Sequence, residues 1–315
     1  MSARPPTPPA AHAVAVYDSD DDLRSRVVPY LRAGLDSGDR VVAVVTQRAQ
    51  RALRAGLAGD GDVVQWHAPG LAYHQLGGLL EGIRAFLAER AGVPTRLLME
   101  NDTDGDQHRH AAHLRIEAAA NDLFTADGTP CTCLYDRHRY PDHVLHAVAT
   151  VHPQLLEPDG RPRRNDGYIE PDAYLAAHPG PLSSVPPQVA LDVQITALAD
   201  LRALRQELRR TGQALGLPAQ ASEALQLAAN EVATNALRHG ATPGRVRIWH
   251  RGRSVVARID DAGTTGHRAV TAGYLRPEPT ARGGLGLWLV RQLADVVHIE
   301  VGARGTSVEL HFPHP

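Results

Sequence analysis

The stretch Glu231-Val232-Ala233-Thr234-Asn235-Ala236-Leu237-Arg238-His239-Gly240 decides how this chain is read. It has the pattern of the closing turns of an amphipathic helix. At helical spacing Glu231, Asn235, Arg238 and His239 fall within one arc of about 100°, beside an apolar arc of Leu225, Ala228, Ala229, Val232 and Ala236. A carboxylate and a carboxamide four residues apart point the same way from a helix. They are close enough to share one metal ion, one water or one phosphate. Gly240 is expected to end the helix, at a position where glycine permits the left-handed conformation. Taken alone, the helix reads as an amphipathic element whose polar flank is simply solvated, so its neighbours carry the decision.

Downstream, Arg245 to His250 and Ser254 to Asp260 read as two strands joined by Arg251-Gly252-Arg253. Val296 to Val301 and Thr306 to Phe312 repeat the pattern around Ala303-Arg304-Gly305. Helices followed by antiparallel hairpins predict an α+β layer with the helices on one face of a mixed sheet. Asp261-Ala262-Gly263 ends the second strand, where a carboxylate can accept from an exocyclic amine and a glycine lets the backbone approach a planar ring. Gly283-Gly284-Leu285-Gly286-Leu287 opens a helix whose free N–H groups and dipole suit an anion. Gly305-Thr306 places a hydroxyl at the start of the last strand.

In this order, Glu-x-x-x-Asn on a helix, Asp-x-Gly after a strand, Gly-x-Gly-Leu before a helix and Gly-Thr before a strand resemble the histidine-kinase-like ATPase fold of gyrase, Hsp90 and sensor kinases. The resemblance covers about residues 188 to 315. It implies ATP and Mg²⁺ as cofactors: Asn235 helps hold Mg²⁺, Asp261 recognises the adenine amine with Gly263 beside it, Gly284 and Gly286 line the phosphates, and Thr306 supports the adenine contact. Glu231-x-x-x-Asn235-Ala236-x-x-His239-Gly240 is similar to the anti-sigma-factor serine kinases. There the glutamate is placed to orient, or take a proton from, an incoming serine hydroxyl. The family often has a further glycine two positions after Asp-x-Gly; Thr265 stands there in this chain, followed by Gly266. Thr264 to Arg282 leaves room for a short ATP lid, in which Arg282 is a phosphate contact or a solvated arginine.

Composition narrows the alternatives. The 33 basic residues are all arginine, so no lysine is present for a Walker-type phosphate site or a Schiff base. Against 35 acidic residues the formal net charge is -2, which gives no electrostatic case for direct nucleic-acid binding. The two cysteines, Cys131 and Cys133, are too few for a secreted disulfide scaffold, so a reducing cytoplasm is the expected compartment. The proline-rich segment Met1 to Ala11 resembles neither signal peptide nor anchor, and apolar runs such as Val41 to Val45 fall far short of the roughly 20 residues a membrane span needs.

The first half alternates strand patterns (Ala13 to Tyr17, Val41 to Val45, Val63 to Trp66, Arg96 to Glu100, Cys131 to Tyr135) with helix patterns (near Asp20 to Leu35, Gln47 to Leu57, His74 to Ala91, Gln107 to Phe124, Asp142 to Val151). That alternation predicts an α/β domain with a mainly parallel sheet. The strands' carboxyl ends would carry Asp18, Thr46, Glu100, Asn101, Asp102 and Asp136, which form either a cation-binding crevice or ordinary helix caps. His108, His110 and His113 have the wrong spacing for one helical face and read as a solvated helix start. Buried, inert thiols are the default reading of Cys131 and Cys133.

His12 with Tyr17, Glu117-x-x-x-Asn121, Cys133-Leu134-Tyr135-Asp136, His152-Pro153 and Asn165-x-x-Tyr168-x-x-Pro171 together resemble the MEDS sensory domain over about residues 10 to 175. That family occurs in bacterial sensory and regulatory proteins and is proposed to sense small hydrocarbon derivatives, so the resemblance implies an input domain with a small-molecule signal. Pro153 to Pro187 shifts to proline, glycine, arginine and asparagine and reads as a linker. The expected division is therefore a sensory domain over residues 10–179 and an ATPase domain over 183–315. The leucine stripe Leu198, Leu201, Leu204 and Leu208 on a helix from Thr196 to Leu215 packs on the second core or pairs two copies in a homodimer.

These expectations add up to a signal-responsive regulator with an anti-sigma-factor-like serine kinase domain. Its partners would be an antagonist protein offering a serine and a sigma factor. An ATP-dependent binding switch without phosphotransfer is the alternative. A sensor histidine kinase ranks behind both, because no helical hairpin with a histidine-acid phosphoacceptor motif precedes residue 220.

Overall fold

In the computed structural model, residues 12–68, 71, 76–100, 106–240, 242–264, 271–277 and 284–314 are described. They group into two compact units: residues up to 174, apart from the short segments 76–81 and 107–112, and residues 175–314 together with those segments.

The first unit is a six-stranded sheet in the order β2-β3-β4-β1-β5-β6. Its strands are β1 (His12–Tyr17), β2 (Arg40–Val44), β3 (Thr95–Glu100), β4 (Cys131–Asp136), β5 (Gln154–Leu156) and β6 (Pro162–Arg164). All pairings are parallel except β5 with β6. Helices α1 (Asp20–Asp36), α2 (Gln47–Leu57), α3 (Leu79–Glu89), α4 (Gln107–Asp127) and α5 (Asp142–Thr150) connect the strands as the alternation predicts, and α6 (Pro171–Ala177) follows β6. Local chemistry sets the helix starts: Ser19 Oγ accepts from Asp22 N at 3.1 Å ahead of three aspartates in the first turn of α1, and Thr46 Oγ1 accepts from Ala49 N at 3.2 Å at α2. Ala15, Leu23, Val27, Leu31, Ala43, Leu53, Leu98 and Leu134 are buried in one core, each large aliphatic side chain worth about 1.5–3 kcal/mol.

Several expectations change here. Val63 to Trp66 is no strand: a 3-10 turn at Ala58–Asp62 turns Val63 outward, 70% exposed, and only Gln65 bridges to Val42. The expected linker is ordered in its first half, because β5 joins β1 and β6 folds back on β5. Among the described residues at the strands' carboxyl ends, two of the acidic groups are engaged by the protein's own donors. Glu100 accepts from Tyr17 OH (2.6 Å) and Thr46 N (2.7 Å), and Asp136 pairs with Arg48 (2.5 Å). Asn101 and Asp102 lie outside the described residues. His108, His110 and His113 are all buried, not solvated.

The second unit is a five-stranded sheet in the order β10-β11-β9-β8-β7, built from β7 (Leu191–Ile195), β8 (Gly244–Arg251), β9 (Ser254–Asp261), β10 (Val296–Gly302) and β11 (Gly305–Pro313). Every pairing is antiparallel, so the expected mixed sheet is corrected; β7, absent from the sequence reading, pairs with the edge of β8. Helices α7 (Asp200–Ala214), α8 (Ala219–His239) and α9 (Leu285–Leu293) pack on one face of the sheet. Leu201, Leu204 and Leu208 of α7 join Leu225, Ala229 and Val232 of α8 and Val246, Ala257, Val308 and Leu310 of the sheet in one core, whereas Leu198 is exposed. The leucine stripe serves its own domain.

The other sheet face is polar and buried. Arg258 on β9 bonds Glu309 directly across on β11, and Glu309 also accepts from Ser183 N (3.1 Å) and Oγ (2.6 Å) and lies 2.8 Å from His311 Nε2. Burial opposes the charge on Glu309, yet His311, Ser183 and Arg258 more than offset it, and the carboxyl is held at about 2 against an ordinary 4.5. The folded value lies below the unfolded one. The stabilisation, about 3 kcal/mol, is therefore fully present above pH 4.5 and is lost as pH falls toward 2. Urea unfolding of the wild type and Glu309→Gln at pH 6 and pH 3 is expected to show their stability difference shrinking by about 2 kcal/mol at the lower pH. A difference that stays constant would contradict this assignment.

Candidate functional site

The site is built where the ends of α8 and β9 meet the starts of β11 and α9. Asp261, the last residue of β9, sits opposite Thr306 in the β9–β11 ladder. Its carboxylate accepts from Gly263 N at 2.7 Å, while Thr306 Oγ1 donates to Gly263 O at 2.8 Å. The Asp-Ala-Gly turn is thus pinned at both polar backbone groups of Gly263. Three glycines make this convergence sterically feasible. A Cβ at Gly263 would lie 2.7 Å from both Asp261 Oδ1 and Gly240 Cα, one at Gly240 would overlap the Asp261 carboxylate, and one at Gly305 would overlap the Asp261 carbonyl oxygen.

Gly240 caps α8 as expected, but with φ -85° and ψ -155°, an extended conformation open to any residue, so the left-handed freedom of glycine is not used there. Its glycine is required by close approach to Asp261. Gly305 and Gly284 do adopt positive φ, +122° and +91°.

Glu231 and Asn235 lie on α8, both half-buried, beside the packed arc of Leu225, Ala229 and Val232. Glu231 faces the first turn of α9: a Cβ at Gly286 would come within 3.0 Å of Glu231 Cδ and overlap Oε1. Asn235 follows one turn along α8 toward Gly240. At α9, Gly284 is the left-handed residue before the helix, and the first intrahelical bond runs from Trp288 N to Gly284 O. The N–H groups of Leu285, Gly286 and Leu287 therefore have no intrahelical acceptor, and the positive end of the helix dipole lies beside the Glu231 carboxylate.

Two groupings result: Asp261, Gly263 and Thr306 with Gly240 and Gly305, and Glu231 with Gly286. Asn235 lies on α8 between them. Arg238 and His239, on the same helical arc, are exposed at its end. Gly283, Thr265, Gly266 and Arg282 lie outside the described residues. Neither Gly240 as a contact for Asp261 nor Gly305 as its steric partner was singled out from the sequence, and the signal was present only as two glycines whose neighbours lie far along the chain.

Comparison with known proteins follows the same division. Residues 196–312 match the family model described as a histidine kinase-like ATPase domain, and residues 11–153 match the model described as the MEthanogen/methylotroph, DcmR Sensory domain, or MEDS. None of the curated proteins matches the chain significantly. Among solved structures, the RsbU and RsbW domains of Rv1364c from Mycobacterium tuberculosis align at 23% identity and a TM-score of 0.29, over 39% of this chain and 32% of that one. This chain thus spans about a third of that structure's length. The histidine kinase domain of the E. coli osmosensor EnvZ aligns at 14% identity and a TM-score of 0.25, over 42% of this chain and 93% of that one. Among the described residues, no helix is long and apolar enough to cross a membrane.

Proposed function

The chain joins a MEDS domain to a histidine kinase-like ATPase domain, and from that pairing we propose a signal-responsive regulator whose ATPase domain transfers phosphate from Mg-ATP to a serine of an antagonist protein, in the manner of anti-sigma-factor kinases. A sigma factor is the proposed downstream partner, and a small molecule acting on the MEDS domain is the proposed signal.

One observation carries the reading: a carboxylate, Glu231, stands against Gly286 at the first turn of α9, with a carboxamide, Asn235, one turn along the same helix. The residues present fit the nucleotide. The glycines at 240 and 263 let the end of α8 and the Asp261 turn close on one another, and Gly286 lets the start of α9 approach Glu231, so the groups that would hold the nucleotide are brought together. Asn235 would hold Mg²⁺. Asp261, set at the strand end by Gly263 and Thr306, would accept from the adenine amine, with Gly263 allowing the ring's approach. The free N–H groups at Gly286 and its neighbours, preceded by the left-handed Gly284, would face the phosphates without any lysine. Mg-ATP supplies the phosphoryl group and the neutralisation of its charge. Glu231 then has one task, to orient the serine hydroxyl and accept its proton, and positioning with electrostatic stabilisation accounts for most of the acceleration.

The test uses radiolabelled ATP and candidate antagonists carrying an accessible serine. Label is expected on the serine, and Asn235→Ala is expected to weaken Mg-ATP binding at least tenfold, over ~1.4 kcal/mol, with phosphotransfer lost in parallel. Stoichiometric ATP binding that leaves every partner unlabelled would overturn the kinase and leave an ATP-dependent binding switch. Phosphotransfer surviving in an Asn235→Ala protein that no longer binds Mg-ATP would sink the assignment of Asn235.

A further inference from the structure

Four buried donors in the first unit stand apart from the nucleotide site: His12 at the start of β1, Glu117 on α4, Cys133 in β4 and His152 just after α5. More than a hundred positions separate His12 from Cys133, yet their ligand atoms converge. His12 Nε2 lies 3.2 Å from Cys133 Sγ and 3.3 Å from Glu117 Oε2. The same carboxylate oxygen is 3.4 Å from Cys133 Sγ and 3.5 Å from His152 Nε2. All four atoms fall within 4.8 Å of one another. A tetrahedral zinc ion, with bonds of about 2.0–2.2 Å to nitrogen and oxygen and about 2.3 Å to sulfur, requires donor-to-donor edges of ~3.3–3.6 Å. Of the six edges, the two nitrogen–oxygen separations (3.3 and 3.5 Å) match within about 0.2 Å. The oxygen–sulfur one (3.4 Å) is about 0.1–0.2 Å short and the nitrogen–sulfur one (3.2 Å) about 0.3 Å short, an adjustment small side-chain rotations supply; the remaining two pairs lie within 4.8 Å.

The surroundings fix which atom of each group points inward. Asn121 donates its Nδ2 to the carbonyls of Ala118 (3.1 Å) and Val151 (2.9 Å), so its Oδ1, 3.0 Å from His12 Nδ1, is the acceptor and that nitrogen carries the ring proton. His152 Nδ1 donates to Val148 O at 2.8 Å. With Nδ1 of each ring engaged outward, Nε2 is the nitrogen that faces the centre, and His152 Nε2 is buried with no hydrogen-bond partner. Tyr135 OH donates to Glu117 Oε1 at 3.1 Å, which leaves Oε2 for the cluster. Three of the four groups, His12, His152 and Glu117, have an outer partner that orients them, the arrangement by which proteins build metal ligands.

Charge points to the same ion class. As a ligand set, a carboxylate, a thiolate and two neutral imidazoles carry two negative charges, which a divalent cation balances once the Cys133 proton and any proton on His12 Nε2 have left for solvent. Mixed sulfur, nitrogen and oxygen donors in a tetrahedron suit a borderline-soft ion of zinc's kind over magnesium or calcium.

We propose that His12, Glu117, Cys133 and His152 form a tetrahedral binding site for a zinc-class divalent cation, tying β1, β4, α4 and the residue after α5 together. On binding, the Cys133 S–H bond breaks, its proton passes to solvent and a metal–sulfur bond forms, with no change of oxidation state.

The full-length protein, purified without chelator, is expected to hold one zinc per chain by elemental analysis. Replacing the zinc with cobalt(II) is expected to give the intense visible bands of a tetrahedral ion and a near-ultraviolet thiolate-to-metal charge-transfer band. Cys131→Ser should keep that band and Cys133→Ser should lose it, with zinc affinity falling at least tenfold; Asn121→Ala should weaken binding about tenfold through the lost orientation of His12. The buried group His108, Glu309 and His311 contains no sulfur, so the charge-transfer band distinguishes the two places. Folded wild-type protein that retains no metal and gives no tetrahedral cobalt spectrum would overturn the proposal, leaving a cluster filled by a proton. A charge-transfer band lost in Cys131→Ser and kept in Cys133→Ser would overturn it too. Should Cys133→Ser fail to fold, the wild-type band and its survival in Cys131→Ser still decide the matter.

Discussion

Glu231→Gln is expected to lower phosphoryl transfer to the antagonist serine by about 10²–10⁴-fold, the usual contribution of a positioned general base, while Mg-ATP affinity stays within about threefold. Glutamine has the shape of glutamate, so the packing of residue 231 against Gly286 is retained and only the basicity is removed. The comparison needs two readouts on one protein: initial rates of serine labelling, and nucleotide affinity by calorimetry. Transfer at wild-type rate would remove Glu231 from the chemistry. Loss of affinity in step with rate would move it into nucleotide binding.

Gly305→Ala is expected to destabilise the second unit by about 3–5 kcal/mol. Gly305 opens β11 at φ +122°, where an L residue is strained, and the added Cβ would overlap the Asp261 carbonyl and lie 2.9 Å from Ala262 Cα. Those neighbours are backbone and have no rotamer by which to yield. Relief would have to come from opening the end of the β9–β11 ladder, which carries the Thr306–Asp261 pairing and the turn bonded to it. For a unit of this size the loss corresponds to a fall in midpoint of roughly 10 °C or more by scanning calorimetry. Gly302→Ala, where the added methyl meets nothing within 4 Å, serves as the neutral comparison. Equal midpoints for the two variants would show that the start of β11 tolerates a side chain.

The elements that were legible in the sequence are those whose burial is periodic. Leu225, Ala229 and Val232 mark one face of α8, and alternation through Val255, Ala257 and Ile259 marks β9; the hairpins and the leucine stripe of α7 follow the same rule. Reading failed where three-dimensional neighbours decide. Strand β6 is Pro162-Arg163-Arg164, fully exposed, and only its pairing with β5 makes it a strand. At Val63 the apolar run looked like a strand, but the preceding 3-10 turn sets the side chain outward. In the candidate site, Asp261 and Thr306 could be proposed as partners because each stands in a local motif, whereas the contact of Gly240 with Asp261 depends on where the end of α8 lands. In the sequence His12, Glu117, Cys133 and His152 stand only as separate marks of resemblance, and Cys133 reads as inert, because spacing along a chain says nothing about which strand a helix will cover.

The Ser183 bonds to Glu309, described with the sheet, have a practical consequence for how the ATPase domain can be cut out of the chain. A fragment starting at residue 188 would keep every strand and helix of the second unit from β7 onward. It would also strip Glu309 of two donors and open the Arg258–Glu309 pair to water. An excised domain should begin ahead of Gly180, whose own Cβ position is taken by the His298 ring, so that residues 180–183 remain over Glu309, although the segments 76–81 and 107–112 that belong to the same unit are lost in any such fragment. A shorter fragment that proved unstable would report a missing cover, and its failure would carry no information about the proposed nucleotide site at the ends of α8 and β9.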